Sequence, residues 1–114
     1  MNTLFQKPEL SWTQHVKMKM QYYRLSEGRI KRILRHPQRT EKGIASGTVA
    51  CMQRNDSKKR QEELWVMYID FKLKGNPQRK VISAWRYPGQ SPEGEPILIP
   101  VDVLEELRKI KGIK

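Results

Sequence analysis

The spacing of apolar residues near the start of the chain predicts a short helix. Val16, Met20 and Tyr23 recur at helical intervals and would form one buried stripe. Ser11 stands just before them with Gln14 three residues later, which is the sequence signature of a capping box. We therefore expect the first helix to open near residue 11.

A second helix is predicted between Ser26, an N-cap candidate, and the residue before Pro37. Ile30, Ile33 and Leu34 form its apolar face. Because a proline disfavours helical geometry at the preceding residue, we expect this helix to end at position 36. Basic side chains occupy the remaining sides of the helix.

After the second helix the apolar period changes from helical to alternating, which predicts β-strands. The alternation is clear in residues 47–54, 61–74 and 79–85, and a weaker signal begins at residue 44. Glycine, asparagine and proline at 75–77 predict a tight turn between the last two strands. Tight turns between successive strands favour an antiparallel meander.

The same alternation predicts which side chains of these strands are buried. Trp65 belongs to the apolar face of its strand, and Trp85 ends the next strand. In that last strand we expect Val81 to share a face with Trp85, and Ile82 to share the other face with Ala84. Both tryptophans are therefore predicted core residues.

The C-terminal part combines a proline-rich connector with a last helix. Four prolines make residues 88–100 extended, and the apolar run at 97–99 is expected to dock on the rest of the domain. Asp102 with Glu105 forms a second capping-box pattern, and Gly112 is the expected stop of the helix.

The predicted fold class is α+β. Two N-terminal helices pack on a three- to four-stranded antiparallel sheet, followed by an extended proline-rich segment and a C-terminal helix. The length of 114 residues fits one domain. Residues 1–10 are an N-terminal lead-in, residues 11–87 form the α+β domain, and residues 88–114 pack on it.

Positive charge is concentrated in the predicted helices. The chain has 23 lysines and arginines against 12 acids, a formal net charge of +11. Between His15 and Arg39 a single acid, Glu27, stands among the basic residues. Because such a cluster attracts polyphosphate chains, its members are the candidate nucleic-acid ligands: Lys17, Lys19, Arg24, Arg29, Lys31, Arg32, Arg35 and Arg39.

The rest of the composition narrows the function classes. Cys51 is the only cysteine, so we expect no internal disulfide and no cysteine-based metal site, and the cytoplasm is the simplest location. No stretch approaches the roughly 20 apolar residues that cross a bilayer, so no membrane partner is expected. The carboxylates show no paired spacing and there is no phosphate-binding glycine motif, so neither a metal nor a cofactor is expected.

The N-terminal residues resemble a family of small bacterial proteins of unknown function. Such proteins open their first helix with His-x-x-x-Arg and are thought to belong to the fold group of RelE, barnase, EndoU and the colicin ribonucleases. The resemblance covers roughly residues 12–87 and is carried by His15-x-x-x-Lys19-Met20, Leu25-Ser26, the Ile30 and Leu34 pair, and His36-Pro37. It implies a toxin-like α+β fold that acts on RNA.

The resemblance also implies a metal-independent ribonuclease site. Cleavage needs a base for the 2′-hydroxyl, cations for the phosphorane and an acid for the leaving oxygen. His15 is the first candidate for proton transfer, because positive surroundings would lower its pKa and keep it neutral. RelE-like proteins carry arginine and tyrosine after the last strand, so Arg86 would hold the phosphate and Tyr87 would donate a proton or stack on a base.

Each of these residues also has a structural interpretation. His15 can fill a crevice between helix and sheet, and Tyr87 can anchor the turn that follows it. Lys19 and Arg24, the candidate phosphate ligands of the first helix, can equally form a solvated helix face.

Three functional hypotheses follow. The first is a toxin-type endoribonuclease, and the second is a non-catalytic protein that binds RNA or the ribosome through the same basic surface. The third is a protein-interaction module whose proline-rich segment and last helix dock an antitoxin-type partner or a second copy of the chain, as in a homodimer. We rank binding above catalysis, because basic clusters are common among binders and no complete acid–base set is visible.

Overall fold

A computed structural model gives the fold and describes residues 7–43, 47–93 and 100–111. Within these ranges the elements in chain order are β1 (Glu9–Trp12), α1 (Gln14–Tyr23), α2 (Glu27–Arg35), β2 (Arg39–Lys42), β3 (Thr48–Arg54), β4 (Glu62–Leu73), β5 (Asn76–Pro88) and α3 (Val101–Lys111).

The described strands form one mixed sheet in the order β1-β5-β4-β3-β2. β2 to β5 are antiparallel neighbours, whereas β1 runs parallel to β5, from Glu9 opposite Gln78 to Trp12 opposite Val81. The α+β class is confirmed, but the expected antiparallel sheet of three to four strands is wrong, since the described sheet has five. The prediction lacked both edge strands because β1 and β2 have only four residues each, too few for alternation to register.

The first helix begins later than expected because Ser11 belongs to β1. Thr13 is the N-cap instead, and its Oγ1 accepts a hydrogen bond from the backbone N–H of Val16 at 3.0 Å. The same hydroxyl donates to the carbonyl oxygen of Ile82 at 2.9 Å, and the Thr13 N–H donates to that of Val81 at 3.2 Å. Thr13 therefore turns the chain out of the sheet and places α1 against β5.

A β-bulge in β5 changes which side chains share a face. The pairing with β4 skips one residue of β5, Ile82, and so shifts the alternation beyond it. Ile82 lies in the same core as Trp85, whereas Val81 lies with Ala84 in the core on the opposite face. The predicted face assignment of these four residues is wrong for this reason.

Each face of the sheet carries its own apolar core. α1 and α2 cover one face, where Ile30 and Ile33 are fully buried. α3 covers the other face through Val103 and Leu107, which pack against the tryptophans. The sheet therefore holds α2 and α3 on opposite sides.

The predicted burial of the tryptophans is confirmed. Trp65 and Trp85 lie directly opposite each other in β4 and β5, and their side chains are 1% and 2% exposed. Their rings are stacked, with centroids 6.1 Å apart and an interplanar angle of 7°. Cys51, on the other face, is also buried.

The turn between β4 and β5 lies slightly earlier than expected. Lys74 and Gly75 form it with φ angles of 52° and 82°, the left-handed conformations that a two-residue hairpin turn requires. Asn76 and Pro77 already belong to β5. Pro77 is tolerated because β1 joins β5 only from Gln78 onward, which leaves Pro77 at an edge of the sheet.

The C-terminal helix starts at Val101 rather than after an Asp102 cap. Asp102 lies in the first turn, where a carboxylate suits the positive end of the helix. The predicted docking of 97–99, the strand signal at residue 44 and the stop at Gly112 lie outside the described residues. Within the described ranges, none of the helices combines the length and apolar character needed to cross a membrane.

Candidate nucleic-acid interface

Helix α2 carries its cations on the side that faces away from the sheet. Ser26 caps the first turn as predicted, and its Oγ accepts a hydrogen bond from the Arg29 N–H at 3.1 Å. Ile30 and Ile33 fix the buried side, and the helix ends at the expected place with His36 as its C-cap. Helical spacing therefore puts Arg32 and Arg35 on the exposed side, and Arg29 and Lys31 at its half-buried flanks.

Three of these cations have no acidic partner in the part of the chain that the structure describes. Among the described residues, no carboxylate forms a salt bridge with Lys31, Arg32 or Arg35. Arg29 donates from Nη2 to the neutral Oδ1 of Asn55 at 3.3 Å, and its buried Nε has no hydrogen-bond partner in the described part of the chain. We call these four side chains the α2 cationic face.

A polar pocket of about 360 Å³ lies at the N-terminal end of α2. We call it the arginine pocket, because it is lined by Arg24, Arg29, Arg32 and Arg86. The buried Leu64 of β4 also lines it. Arg24 reaches the pocket as the C-cap of α1, in the left-handed region with φ of 58°.

One buried acid contacts the arginine pocket. Arg86 donates from Nε to the Tyr23 carbonyl oxygen at 2.9 Å and from Nη1 to Glu62. Glu62 is 6% exposed and also accepts a hydrogen bond from the Asn55 Nδ2. Among the described residues, four guanidinium groups therefore face a single carboxylate, which leaves the pocket strongly positive.

A second pocket, of about 300 Å³, lies on the other flank of α2. Its cations are Lys7, Lys31, Arg35 and Arg79, and its apolar lining includes Leu10 and Leu34. Arg79 donates two hydrogen bonds, of 2.7 and 2.9 Å, to Asp70. Lys31 and Arg35 belong to the α2 cationic face, so this pocket adjoins that face.

His15 and Lys19 lie elsewhere, in a cleft of about 620 Å³ between α1 and α3. Asp102, Glu105 and Glu106 line the cleft from α3, and Lys19 forms an ion pair with Asp102. The three acids outnumber the two lysines of the cleft, Lys19 and Lys109, and so offset their charge. The cleft is therefore separate from the basic surface around α2.

His15 lies between a serine and a carboxylate, in an arrangement similar to a catalytic triad. Its Nε2 lies 3.0 Å from the Oγ of Ser83, and its Nδ1 lies 4.0 Å from Glu106 Oε1. Ser83 is 0% exposed and does not line the cleft, so its hydroxyl is closed to a substrate. The geometry fits the structural interpretation, in which His15 fills a crevice and fastens α1 to β5.

The pKa of His15 is lowered, as expected, but the main cause is burial rather than nearby positive charge. Burial lowers it below the ordinary value of 6.5, Glu106 and Asp102 act to raise it, and Lys19 lowers it slightly further. The imidazole is therefore kept neutral mainly by loss of hydration rather than by a positive field.

The three candidate catalytic residues do not converge on one site. Arg86 lines the arginine pocket, while Tyr87, the next residue of the strand, packs on the tryptophan core of the opposite face. His15 is near the start of α1, whereas Arg86 contacts Tyr23 at its end, which separates them by roughly 12 Å along the helix axis.

Two further predicted phosphate ligands have different surroundings. Lys17 is exposed on α1 and shares a shallow groove with Arg24. The Arg39 side chain is only 8% exposed, and its guanidinium donates to Glu41 at 2.7 Å, to Ser91 Oγ at 2.7 Å and to the Pro92 carbonyl oxygen at 2.8 Å. Arg39 thus fastens the segment after β5 and is not available to a polyanion.

Arg39 lies beside a polar network around the buried Glu63. The carboxylate of Glu63 accepts hydrogen bonds from Trp65 Nε1 at 2.9 Å, Ser91 Oγ at 2.7 Å and the Ser91 N–H at 3.0 Å, and Arg54 lies 3.3 Å away. Burial acts to raise the pKa of Glu63, but the hydrogen bonds from Ser91 and Trp65 outweigh it, so the pKa is lowered.

Sequence reasoning missed two residues that shape the arginine pocket, Asn55 and Glu62. The sequence did indicate that these two residues lie close together, because the predicted strands 47–54 and 61–74 follow each other in an antiparallel meander, which brings the end of one near the start of the next. No sequence pattern indicated the contacts of these two residues with Arg29 and Arg86, because the contacts depend on how α2 packs over the end of the sheet.

Comparison with known proteins adds no family to this description. Neither a protein-family model, nor a curated protein, nor a solved structure matches the chain. In the described part of the chain, no group of three or more His, Cys, Asp or Glu side chains is placed to hold a metal ion.

Proposed function

We propose that this chain is an RNA-binding protein without catalytic activity, and that its contact surface is the α2 cationic face together with the arginine pocket. The observation that carries the proposal is the lack of acidic partners for Lys31, Arg32 and Arg35 among the described residues. Cations without an acidic partner are free to replace the counterions of a phosphate backbone.

The dimensions of the surface suit a short stretch of a strand. From Arg29 to Arg35 the axis of α2 extends roughly 9 Å, which is enough to contact a few nucleotides. We propose RNA rather than DNA as the ligand because the sequence resembles RelE-like ribonucleases. The lone buried cysteine fits a reducing compartment such as the cytoplasm.

Binding is favoured over cleavage by the position of His15. A general base must lie within hydrogen-bond reach of the 2′-hydroxyl it deprotonates. His15 is instead bonded to the buried Ser83 and lies among the acids of the α1–α3 cleft, apart from the arginines that would hold the phosphate.

A second candidate function, docking of a protein partner, is favoured by two exposed apolar side chains on α1. Met18 and Tyr22 are 60% and 76% exposed and line the α1–α3 cleft one helical turn apart. An antitoxin-type partner or a second copy of the chain would cover them. Size-exclusion chromatography of the purified protein, alone and with candidate partners, separates this function from RNA binding.

The proposed function is tested by incubating the protein with total RNA in EDTA and following both retention and fragmentation. We expect intact RNA that is retained at about 50 mM salt and released at about 200 mM. Fragments that disappear in the variants His15→Ala and Arg86→Ala would establish the endoribonuclease instead. Absence of both retention and cleavage would overturn RNA binding.

A further inference from the structure

The arginine pocket differs from the rest of the basic surface because its guanidinium groups come from three separate segments. Arg24 ends α1, Arg29 and Arg32 belong to α2, and Arg86 belongs to β5. Counted with Glu62, the acid that Arg86 contacts, the pocket carries a net charge of about +3. A cationic helix face meets a polyanion along its length, whereas this cavity concentrates charge around one point.

Two of the guanidinium groups are held in place before any ligand arrives. Arg86 is oriented by Tyr23 and Glu62, and Arg29 by Asn55. A guanidinium group has five N–H donors, and among the described residues these contacts use two of them in Arg86 and one in Arg29. Donors therefore remain for the oxygens of a ligand.

The charge and the donor set distinguish between two kinds of phosphate. A phosphodiester inside a strand carries one negative charge and continues in both directions. A terminal phosphate monoester carries a charge of about −1.5 to −2 and offers three strong acceptor oxygens. Four arginines line the cavity and the positive end of α2 lies beside it, so the larger charge of a monoester matches the pocket better than the single charge of a diester.

We infer that the arginine pocket binds the terminal phosphate monoester of an RNA strand, while the adjoining nucleotides lie on the α2 cationic face. This inference rests on the proposed function and adds to it a preference for phosphorylated ends. An RNA strand can carry such a monoester at either end, as a 5′-phosphate or as a 3′-phosphate.

The test compares three fluorescent RNAs of one sequence, with a 5′-phosphate, a 3′-phosphate or hydroxyls at both ends, at one ionic strength. Because charge-assisted hydrogen bonds are lost with the monoester, we expect one of the phosphorylated RNAs to bind roughly tenfold more tightly than the hydroxyl-ended RNA. Arg29→Gln is expected to abolish that gain. Arg24→Gln, at an exposed position, gives the same test if the variant at position 29 folds poorly.

Arg35→Gln is the matched control, because Arg35 carries the same charge on the same helix but does not line the arginine pocket. It is expected to weaken binding of all three RNAs by a similar factor. Equal binding of the three RNAs, with loss on Arg35→Gln, would overturn this inference and leave the proposed function standing. Binding of none of them would overturn both.

Discussion

His15 Nε2 lies 3.0 Å from the Oγ of Ser83, and this contact joins the first turn of α1 to the strand beside it. The serine is fully buried, so the contact belongs to the packing of helix on sheet rather than to a reactive centre. It also keeps the imidazole at the opposite end of α1 from the arginine pocket. The chain thus separates its buried histidine from its free cations.

We predict that His15 makes the free energy of unfolding depend on pH in a mildly acidic range. Burial lowers the pKa of His15 in the folded protein below 6.5, so the unfolded state takes up the proton first as pH falls. The contribution of the neutral imidazole to the free energy of unfolding is complete above about pH 6.5 and is lost progressively as pH falls through the lowered pKa of the folded protein. Urea unfolding measured between about pH 8 and pH 5 checks this.

A variant without the imidazole provides the control for that measurement. His15→Gln should flatten the slope between neutral and mildly acidic pH relative to the unsubstituted protein, because glutamine does not titrate in this range. An unchanged slope in the His15 variant would show that another group causes the pH dependence.

The glutamate of the buried network gives a prediction about stability. Glu63→Gln removes a carboxylate that accepts hydrogen bonds from Trp65 and Ser91 and lies near Arg54, so we expect a loss of about 2–3 kcal/mol in the free energy of unfolding. Because the pKa of Glu63 is lowered in the folded protein, its contribution is present above about pH 4.5 and is lost as pH falls further.

Urea unfolding of Glu63→Gln at neutral and acidic pH measures both effects. Glu105→Gln removes an exposed carboxylate from α3 and should change the unfolding free energy by less than about 0.5 kcal/mol. Equal effects of the two substitutions would mean that the network around Glu63 does not stabilise the fold.

Helix α2 shows which features of the fold can be predicted from the sequence. Its N-cap at Ser26, its buried Ile30 and Ile33 and its end at His36 follow from spacing and capping chemistry, which act over a few residues. The charge of its outer face follows from the same spacing. Local rules are sufficient where an element is decided by its own side chains.

The parallel pairing of β1 and the bulge at Ile82 follow from no such local rule. The pairing of β1 depends on residues far apart in the chain, since the Thr13 N–H donates to the carbonyl oxygen of Val81. The arginine pocket has the same origin, because Arg24 and Arg86 meet only when α1 packs on β5. Alternation of side chains cannot reveal an inserted residue or a partner strand.

We predict that the single thiol is unreactive while the protein is folded. Cys51 is buried in β3, and loss of hydration raises its pKa to about 12, so the nucleophilic thiolate is almost absent at neutral pH. An aromatic disulfide reagent should label it only as fast as the protein unfolds. Complete and rapid labelling in denaturant is the control, and rapid labelling in native buffer would contradict the prediction.

We predict that alanine substitutions at two glycines change the stability of the protein in opposite directions. A Cβ at Gly28 would meet only the Oγ of Ser26, at 3.8 Å, so Gly28→Ala should stabilise the protein by about 0.5–1 kcal/mol through its higher helix propensity. A Cβ at Gly43 would overlap the side chain of Thr48, with the Thr48 Cβ at 2.9 Å. Gly43→Ala should therefore destabilise by about 1–3 kcal/mol.

Thermal and urea unfolding of these two alanine variants check the prediction, since the substitutions are chemically identical and differ only in their surroundings. A destabilised Gly28→Ala variant would indicate that α2 does not tolerate a side chain at this place. A neutral Gly43→Ala variant would show that the connection between β2 and β3 adjusts without cost.

The last prediction concerns the salt dependence of RNA binding. Removing two unpaired cations with Arg32→Gln and Arg35→Gln should weaken binding roughly tenfold or more at low salt and reduce the slope of log affinity against log salt by about 1.4–1.8. The matched control is Lys72→Gln with Lys74→Gln, which removes the same charge from the exposed end of the β4–β5 hairpin. Leu64 beside the arginine pocket and Leu73 at the hairpin end are separated by roughly 30 Å along β4, beyond the screening length of about 10 Å.

Fluorescence anisotropy with one RNA over a series of salt concentrations measures both slopes. If RNA lies on α2, only the arginine variant changes its slope, because counterions are released only where phosphates contact the protein. If both double variants lose affinity equally, the attraction comes from the net charge of the whole chain, and α2 has no special place in binding.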